Sequence, residues 1–381
     1  MTLQATGIDA ERLEALDQRV RREIDEGLLP SCQYAVAKDG EIVAQNTFGD
    51  ATDDTRYCIF SSTKALSVSA FWMLLGEGLA SIDQRVADIL PPFGSNGKQD
   101  ITIEQVLLHT AGFPNAPLGP PEWRTHETRV ARYADWRLDW EPGSMYMYHH
   151  SAAHWVLMDI LTEITGVDFR TFIRERILEP LGLKKLALGI APSEQKDLAE
   201  ISYVGEDMTA DELEAAFGIR EIPTPEGSLA AMGDFALLLN ESEAREVGIP
   251  GGGAFSTAAD IALFYQALLH NDQGLWDPEV LLDGTARVRN TFPDLMTGAP
   301  ANRALGTVVA GDDGKANLRG FGKTFSPRAF GHGGAGGQIA LGDPSSGLSF
   351  CYVTNGHDRH MIRQGRRGVG IASRAGLVTQ T

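Results

Sequence analysis

A serine three residues ahead of a lysine is the simplest arrangement in this sequence that could do covalent chemistry. On a helix, positions i and i+3 share one face, so the amine can reach the hydroxyl. A hydroxyl is a weak nucleophile until a base takes its proton, and a desolvated lysine can serve as that base. The pattern occurs at Ser61–Lys64, Ser95–Lys98 and Ser193–Lys196, so the surroundings must decide. Ser95 lies in Gly94-Ser95-Asn96-Gly97, a turn, and Ser193 lies in a polar, acidic stretch. Only Ser61 stands between a short apolar run, Tyr57–Phe60, and an apolar segment, Ala65–Leu79, that reads as a mostly buried helix. A serine at a helix start also meets positive potential and free backbone N–H groups. The plain alternative at this position is a capping serine beside a surface lysine.

Two further clusters could take part. Pro142-Gly143-Ser144-Met145-Tyr146-Met147-Tyr148-His149-His150 places two tyrosines just ahead of a helix, and a phenolate stabilised by a nearby cation can act as a base. Phe330-Gly331-His332-Gly333-Gly334-Ala335-Gly336-Gly337 is a glycine-rich segment between strands. It is either a hairpin corner or a sheet edge that offers backbone N–H groups to a substrate oxygen. His150 and His154 have a metal-ligand spacing but lack the carboxylate of a His-Glu-x-x-His arrangement, so packed or hydrogen-bonded rings are expected. Cys58 lies in an apolar run and reads as buried packing, and His109 reads as structural. No serine has glycine at both −2 and +2, which removes the Gly-x-Ser-x-Gly elbow.

The elements that must hold these residues are legible in outline. Leu13, Leu16, Val20 and Ile24 follow helical spacing behind Asp9, a plausible N-cap. Gln33–Lys38 and Glu41–Phe48 read as strands joined by Asp39-Gly40, a favoured two-residue turn. Ile101–His109, Trp155–Thr165, Ala254–Leu269 and Arg359–Leu377 read as helices, and Arg328–Gly333, Gln338–Asp343 and Leu348–Thr354 as strands. Phe113–Gly143, rich in Pro and Trp, reads as ordered loops whose aromatics form either an apolar acyl pocket or a loop core. Strands at both ends and helices between them fit one layout: an antiparallel sheet flanked by helices, an α+β class, with an inserted helical lobe. The expected division is an α/β lobe of about 1–80 plus 250–381 and a helical lobe of about 81–249.

The 381 residues carry 33 basic and 51 acidic side chains, a net charge of −18, which argues against nucleic acid as a partner. Much of the acidity lies in Ser193–Glu246, with 14 acidic and 3 basic residues, read as a solvated surface. Three cysteines fit a reducing compartment rather than a disulfide framework. Met1 to Ala10 shows no signal-peptide pattern and no run is long enough to span a bilayer. The expectation is a soluble, cytoplasmic protein without a membrane partner; its oligomeric state is not read from the sequence.

Taken together, the clusters resemble the serine β-lactamase and penicillin-binding-protein superfamily, in its class C β-lactamase-like branch with the family VIII carboxylesterases. The resemblance runs from about Leu13 to Gly356. Ile59-Phe60-Ser61-Ser62-Thr63-Lys64-Ala65 matches the nucleophile motif. Leu107-Leu108-His109-Thr110-Ala111-Gly112-Phe113-Pro114, Pro142-Gly143 followed by Tyr148, Gly251-Gly252-Gly253 with Ser256-Thr257-Ala258-x-Asp260, and Phe330–Gly337 follow in family order. The resemblance implies a β-lactamase/transpeptidase-like fold in which Ser61 is acylated and Lys64 and Tyr148 move its proton, Tyr146 being the rival tyrosine. It implies an oxyanion hole from the Ser61 and Ala335 N–H groups, substrate contacts at His150, His332, Gly333 and Gly334, and no metal or organic cofactor. The sequence departs from the family twice. Tyr-x-Asn becomes Tyr148-His149-His150, so His150 or Ser151 takes the Asn place, and Lys-Thr-Gly becomes His332-Gly333-Gly334. The second change removes a permanent cation and a hydroxyl that hold a substrate carboxylate. It favours a neutral small-molecule ester of small or medium acyl chain, with a β-lactamase, D,D-peptidase, acyltransferase or amide hydrolase as alternatives.

Overall fold

The computed structural model describes residues 7–221 and 234–379. The first residues of the chain and part of the acidic stretch, 222–233, lie outside the described residues. Among the described residues eleven strands appear in chain order: β1 (Ser31–Lys38), β2 (Glu41–Gly49), β3 (Tyr57–Cys58), β4 (Ala187–Leu188), β5 (Ser202–Val204), β6 (Ala254–Ser256), β7 (Val308–Val309), β8 (Phe330–Gly331), β9 (Ile339–Asp343), β10 (Leu348–Thr354) and β11 (Gly356–Asp358).

Six of them form one sheet, ordered β2-β1-β10-β9-β8-β7, with every pair antiparallel. The two ends of the chain meet at its centre, where Tyr34 of β1 pairs with Tyr352 of β10. Asp39 and Gly40 both take positive φ, 53° and 79°, as a two-residue turn matched to strand twist requires. β1 and β10 lack an alternating exposure pattern because helices cover both faces. Cys32, Tyr34, Val36, Phe350 and Tyr352 pack with Leu16, Val20 and Ile371, from the Ala10–Asp25 and Met361–Ala375 helices. Ala35, Ala37, Cys351 and Val353 face the other way, into the larger core with Phe264 and Leu268 of the Ala258–His270 helix.

A second, three-stranded sheet, β3-β6-β4, sits where the large sheet meets the helical part of the molecule. It delivers the chain into the Thr63–Gly76 helix, buried at every residue from Thr63 to Leu74. A helix apolar all round is a core element, and this one runs beside the Ala152–Thr165 helix. Trp72 donates its indole N–H to the Leu305 carbonyl at 2.9 Å, tying the helix to the returning C-terminal segment.

Several boundaries differ from expectation, each for a local reason. The helix after Ser61 starts at Thr63 and ends at Gly76, and Ser61 itself sits in a 3-10 turn, Phe60–Ser62. Ala254–Ser256 is strand rather than helix, because it pairs with Tyr57–Cys58 and Ala187–Leu188. The helix then starts behind Thr257, whose hydroxyl accepts from the Asp260 amide. Ile101–His109 shrinks to a helix over Ile103–Leu107, and His109 leaves it with a positive φ of 58°. Arg328–Gly333 shrinks to Phe330–Gly331, and the loop Phe113–Gly143 contains a helix, His126–Tyr133. Within that loop Phe113, Tyr133 and Trp136 are buried against one another, with ring centroids 4.4 and 5.7 Å apart, which makes them a loop core. Among the described residues no helix is long and apolar enough to cross a membrane.

Candidate active site

Ser61 is held in place by backbone strain and by pairing. Phe60 takes φ 44°, a left-handed conformation that a bulky residue adopts only when its surroundings enforce it, at about 1–3 kcal/mol. Enforcement comes from both sides. The Ile59 amide donates to the Ala254 carbonyl at 3.0 Å, and the Phe60 ring packs edge-on against His357 with centroids 5.7 Å apart. The result leaves Ser61 half-buried at the start of a buried helix, one turn ahead of Lys64.

Lys64 is fully buried, and its Nζ has three neighbours: the His150 carbonyl at 2.7 Å, the Gly251 carbonyl at 2.5 Å and Ser61 Oγ at 3.2 Å. Gly251 is required there, because a Cβ would lie 2.9 Å from the His150 carbonyl oxygen and 3.5 Å from Nζ. Burial, and then the charge of Arg303, hold the lysine well below its ordinary pKa, which favours the amine over the ammonium. An amine has two N–H donors and one lone pair. The two carbonyls accept both donors, and the lone pair is left for the Ser61 hydroxyl. In the amine form that burial favours, Lys64 is a base poised on a nucleophile.

Tyr148 lies across the top of this pair. Lys64 Nζ is 4.9 Å from the centre of its ring and the Arg303 guanidinium carbon 5.1 Å. Its buried hydroxyl lies within reach of Ser61 but makes no hydrogen bond of good geometry with any described residue. Burial raises its pKa, while Arg303 and then Ser61 oppose the rise, so the resting group is a phenol. Tyr146 is engaged elsewhere: its hydroxyl accepts from Arg303 Nε at 3.2 Å. His109 and His149 form a shelf beneath. His109 Nδ1 accepts from the His149 amide at 3.1 Å, which leaves the proton of a neutral ring on Nε2, a buried atom without a partner among the described residues. His149 Nε2 accepts from the Phe113 amide, so Nδ1 carries the proton and donates to the Met147 carbonyl at 2.7 Å. Burial keeps both rings neutral, His149 being pushed down to about 3.

On the opposite side, His332 is buried and held well below its ordinary pKa by burial, then by Arg303 and Lys64. Its Nδ1 faces the Gly333 carbonyl at 2.8 Å and must donate, so Nε2 is a bare acceptor, buried without a partner among the described residues. Its ring centre is 5.8 Å from that of Tyr148. The turn that follows packs directly on the nucleophile's strand. A Cβ on Gly334 would lie 2.3 Å from the Ile59 carbonyl oxygen, so only glycine fits. Gln338 fixes the same turn by donating to the Cys58 carbonyl at 3.3 Å and the Thr354 carbonyl at 2.8 Å. Ala335 is exposed at its tip, and neither the Ala335 nor the Ser61 amide donates to a backbone group outside its own turn.

His150 contributes its carbonyl to Lys64, while its ring lies exposed at the rim, edge-on to Tyr148 at 5.0 Å. Ser151 is the buried member of that pair, its Oγ unpartnered among the described residues. Cys58 is buried, its thiol pushed up to about 12 by burial and donating to the Gly252 carbonyl, consistent with packing. Among the described residues no group of three or more His, Cys, Asp or Glu is placed to hold a metal ion. A hollow of about 1000 Å³ is lined by residues such as Arg170 and Lys185 and by none of the residues of this site.

The residue that sequence reasoning missed is Arg303. It stands at the base of a hairpin-like loop closed by the bridges Asn290–Arg303 and Pro293–Pro300, and Asn290 anchors that base by donating to the Leu108 carbonyl at 3.0 Å. No motif marks it; it reaches Tyr146 across 157 residues of chain.

Comparison with known proteins agrees with the architecture. A family model described as Beta-lactamase matches residues 16–371. The Esterase/beta-lactamase LipL of Mycobacterium tuberculosis is 26% identical over 320 residues, 79% of this chain and 70% of that protein. An Escherichia coli protein, provisionally named a D-alanyl-D-alanine carboxypeptidase, is 25% identical over 92% of this chain and 84% of its own length. The crystal structure of a penicillin-binding-protein homolog from Caulobacter crescentus superposes with a TM-score of 0.78 at 27% identity, covering 97% of this chain and 99% of the other.

Proposed function

The chain belongs to the beta-lactamase family and is a serine hydrolase of that superfamily, and from that premise we propose that it cleaves carboxylic esters through a Ser61 acyl-enzyme. The observation that carries the catalytic half of this reading is the placement of Lys64, fully buried with Nζ 3.2 Å from Ser61 Oγ and its other two contacts on backbone carbonyls. As Oγ attacks the ester carbonyl, its proton passes to Lys64 Nζ. The carbonyl oxygen gains negative charge between the Ser61 and Ala335 N–H groups, donors of a kind typically worth about 10²–10³ in rate each. The C–O bond to the alcohol breaks, and the departing oxygen takes the Tyr148 proton, which Lys64 replaces. Water then enters, and the same pair runs the sequence in reverse to release the acid and free Ser61.

The preference for esters rests on His332. A neutral ring whose Nδ1–H is committed to the Gly333 carbonyl offers a substrate carboxylate no charge. Arg303, the nearby permanent cation, is 4% exposed and covered by Tyr146 and Tyr148. The esterase half of the LipL name supports the same choice. The test is a paired assay of wild type and Ser61→Ala, on p-nitrophenyl esters of increasing acyl length and on a chromogenic cephalosporin. Ester turnover abolished by Ser61→Ala, with slow cephalosporin opening, is the expected result. Fast cephalosporin opening would transfer the assignment to β-lactams, and ester turnover that survives Ser61→Ala would remove the mechanism.

A further inference from the structure

A buried cation needs an explanation, because an arginine stripped of water and left without a carboxylate costs several kcal/mol. The other well-buried arginines each have a carboxylate or carbonyl in hand. Arg129 binds Asp159, Arg367 binds Glu23 and Asp358, Arg56 binds Asp197, and Arg245 donates to the Leu239 carbonyl. Arg303 is the exception among the described residues. Among the described residues its one side-chain hydrogen bond is from Nε to the Tyr146 hydroxyl, and one terminal nitrogen, Nη1, is buried without a partner. Its aromatic neighbours are the rings of Tyr146, at 5.7 Å, and Tyr148, at 5.1 Å.

Around it lie His109, His149, His154 and His332, together with Lys64, all of which feel its charge. Among the described residues the charges that act on these groups are those of Arg303, Lys64 and neighbouring histidines, not of carboxylates. The Tyr148 ring is shared, with the Lys64 nitrogen and the Arg303 guanidinium each about 5 Å from its centre. Two buried positive charges against one ring repel one another, and a guanidinium cannot give up its proton, whereas an ammonium can.

Resting on the Ser61 acyl-enzyme reading, we propose that Arg303 is a positioning residue for catalysis: a permanent buried cation that acts across the Tyr148 ring to keep Lys64 an amine and to make the ammonium it becomes readier to give its proton up again. The same charge stabilises the phenolate that Tyr148 becomes for an instant when it protonates the alcohol. The unpaired guanidinium is thus retained for the charge it places beside the proton carriers.

Arg303→Gln keeps a hydrogen-bond donor near Tyr146 and removes the charge. Its expected signature is in the pH profile of kcat/KM for p-nitrophenyl butyrate. The acid limb, where Lys64 must lose its proton, moves to higher pH by about one unit or more, about a tenfold loss at fixed pH on that limb. Activity recovers toward the wild-type value as the pH is raised, and Arg303→Lys returns the limb to within a few tenths of a unit. A structural role alone would instead lower the rate by one factor at all pH values and lower the melting temperature. A limb that stays at the wild-type pH in folded Arg303→Gln overturns the proposal. If Arg303→Gln does not fold, Arg303→Met, which keeps much of the side chain's length and removes the charge, is read in its place. It should move the limb in the same direction by a similar amount, and an unmoved limb overturns the proposal. Ser61→Ala is assayed beside them: turnover that survives it defeats the underlying mechanism, while abolished turnover with an unmoved limb defeats the role of Arg303 alone.

Discussion

Lys64→Met tests the reasoning about the base through stability as well as through rate. Methionine fills a similar volume, so the cavity is small and the change is mainly one of hydrogen bonding and proton binding. It leaves the His150 and Gly251 carbonyls without the donors they have at 2.7 and 2.5 Å, at about 1–3 kcal/mol for each buried group. Against this, the wild type must strip a proton from a lysine that the unfolded chain holds up to about its ordinary value of 10.5. The direction of the pH dependence follows from that difference. In the window between the lowered native pKa and 10.5 the unfolded state binds one more proton, so wild-type stability rises with pH. A difference of one proton gives a slope of about 1.4 kcal/mol per pH unit. Lys64→Met lacks that slope, and all other titrations cancel in the comparison. Urea unfolding of both proteins at pH 7, 8 and 9 should show the wild type gaining on the variant by up to about 3 kcal/mol over the range, with unchanged m-values. Ester turnover should fall by about 10²–10⁴, the usual contribution of a general base. Parallel stability curves across that range would mean that the native lysine keeps its proton, and the assignment of Lys64 as the resting base would fall with it.

Two other substitutions separate machinery from scaffold. Gly334→Ala brings a Cβ against the Ile59 carbonyl oxygen and must push the Ala335 turn away from Ser61. The expected result is a loss of about 10²–10³ in kcat with a smaller change in KM, measured by steady-state ester hydrolysis. Asp159→Ala removes the carboxylate that Arg129 grips from within the core, with Tyr133 and His126 also bound to it. It should cost about 3–5 kcal/mol in denaturant unfolding while leaving the acid limb of the pH profile in place, because this network lies outside the Ser61 cluster.

What could be read in the sequence was what the chain decides locally. The Ser61–Lys64 spacing works because one helical turn sets it, and Asp39-Gly40 makes its turn because those two residues tolerate positive φ at little cost. Phe330–Gly337 was legible as a place of close approach, since a run of glycines has few other uses. The misjudged boundaries share one cause, which is that distant partners overrode local preference. Ala254–Ser256 carries the composition of a helix start, yet the edges of β3 and β4 recruit it as a strand. His109 ends a helix early because its imidazole is drawn under Tyr148, 5.1 Å from that ring.

Arg303 carries this argument to its limit. Nothing in Asn302-Arg303-Ala304 separates it from a solvated arginine, and the ordinary expectation for an arginine is exposure. Its significance depends on two facts that only the folded chain reveals. Among the described residues it has no carboxylate partner, and Tyr146 and Tyr148 cover it. The same reasoning explains how a site can lose the strand lysine expected from the family resemblance and still hold a fixed positive charge. His332 cannot supply that charge, because burial, Arg303 and Lys64 all oppose its protonation. A second cation on that strand would face the same opposition. The neutral histidine and the buried arginine are therefore two consequences of one electrostatic arrangement, with the charge placed beneath the tyrosines rather than at the mouth where a substrate carboxylate would arrive.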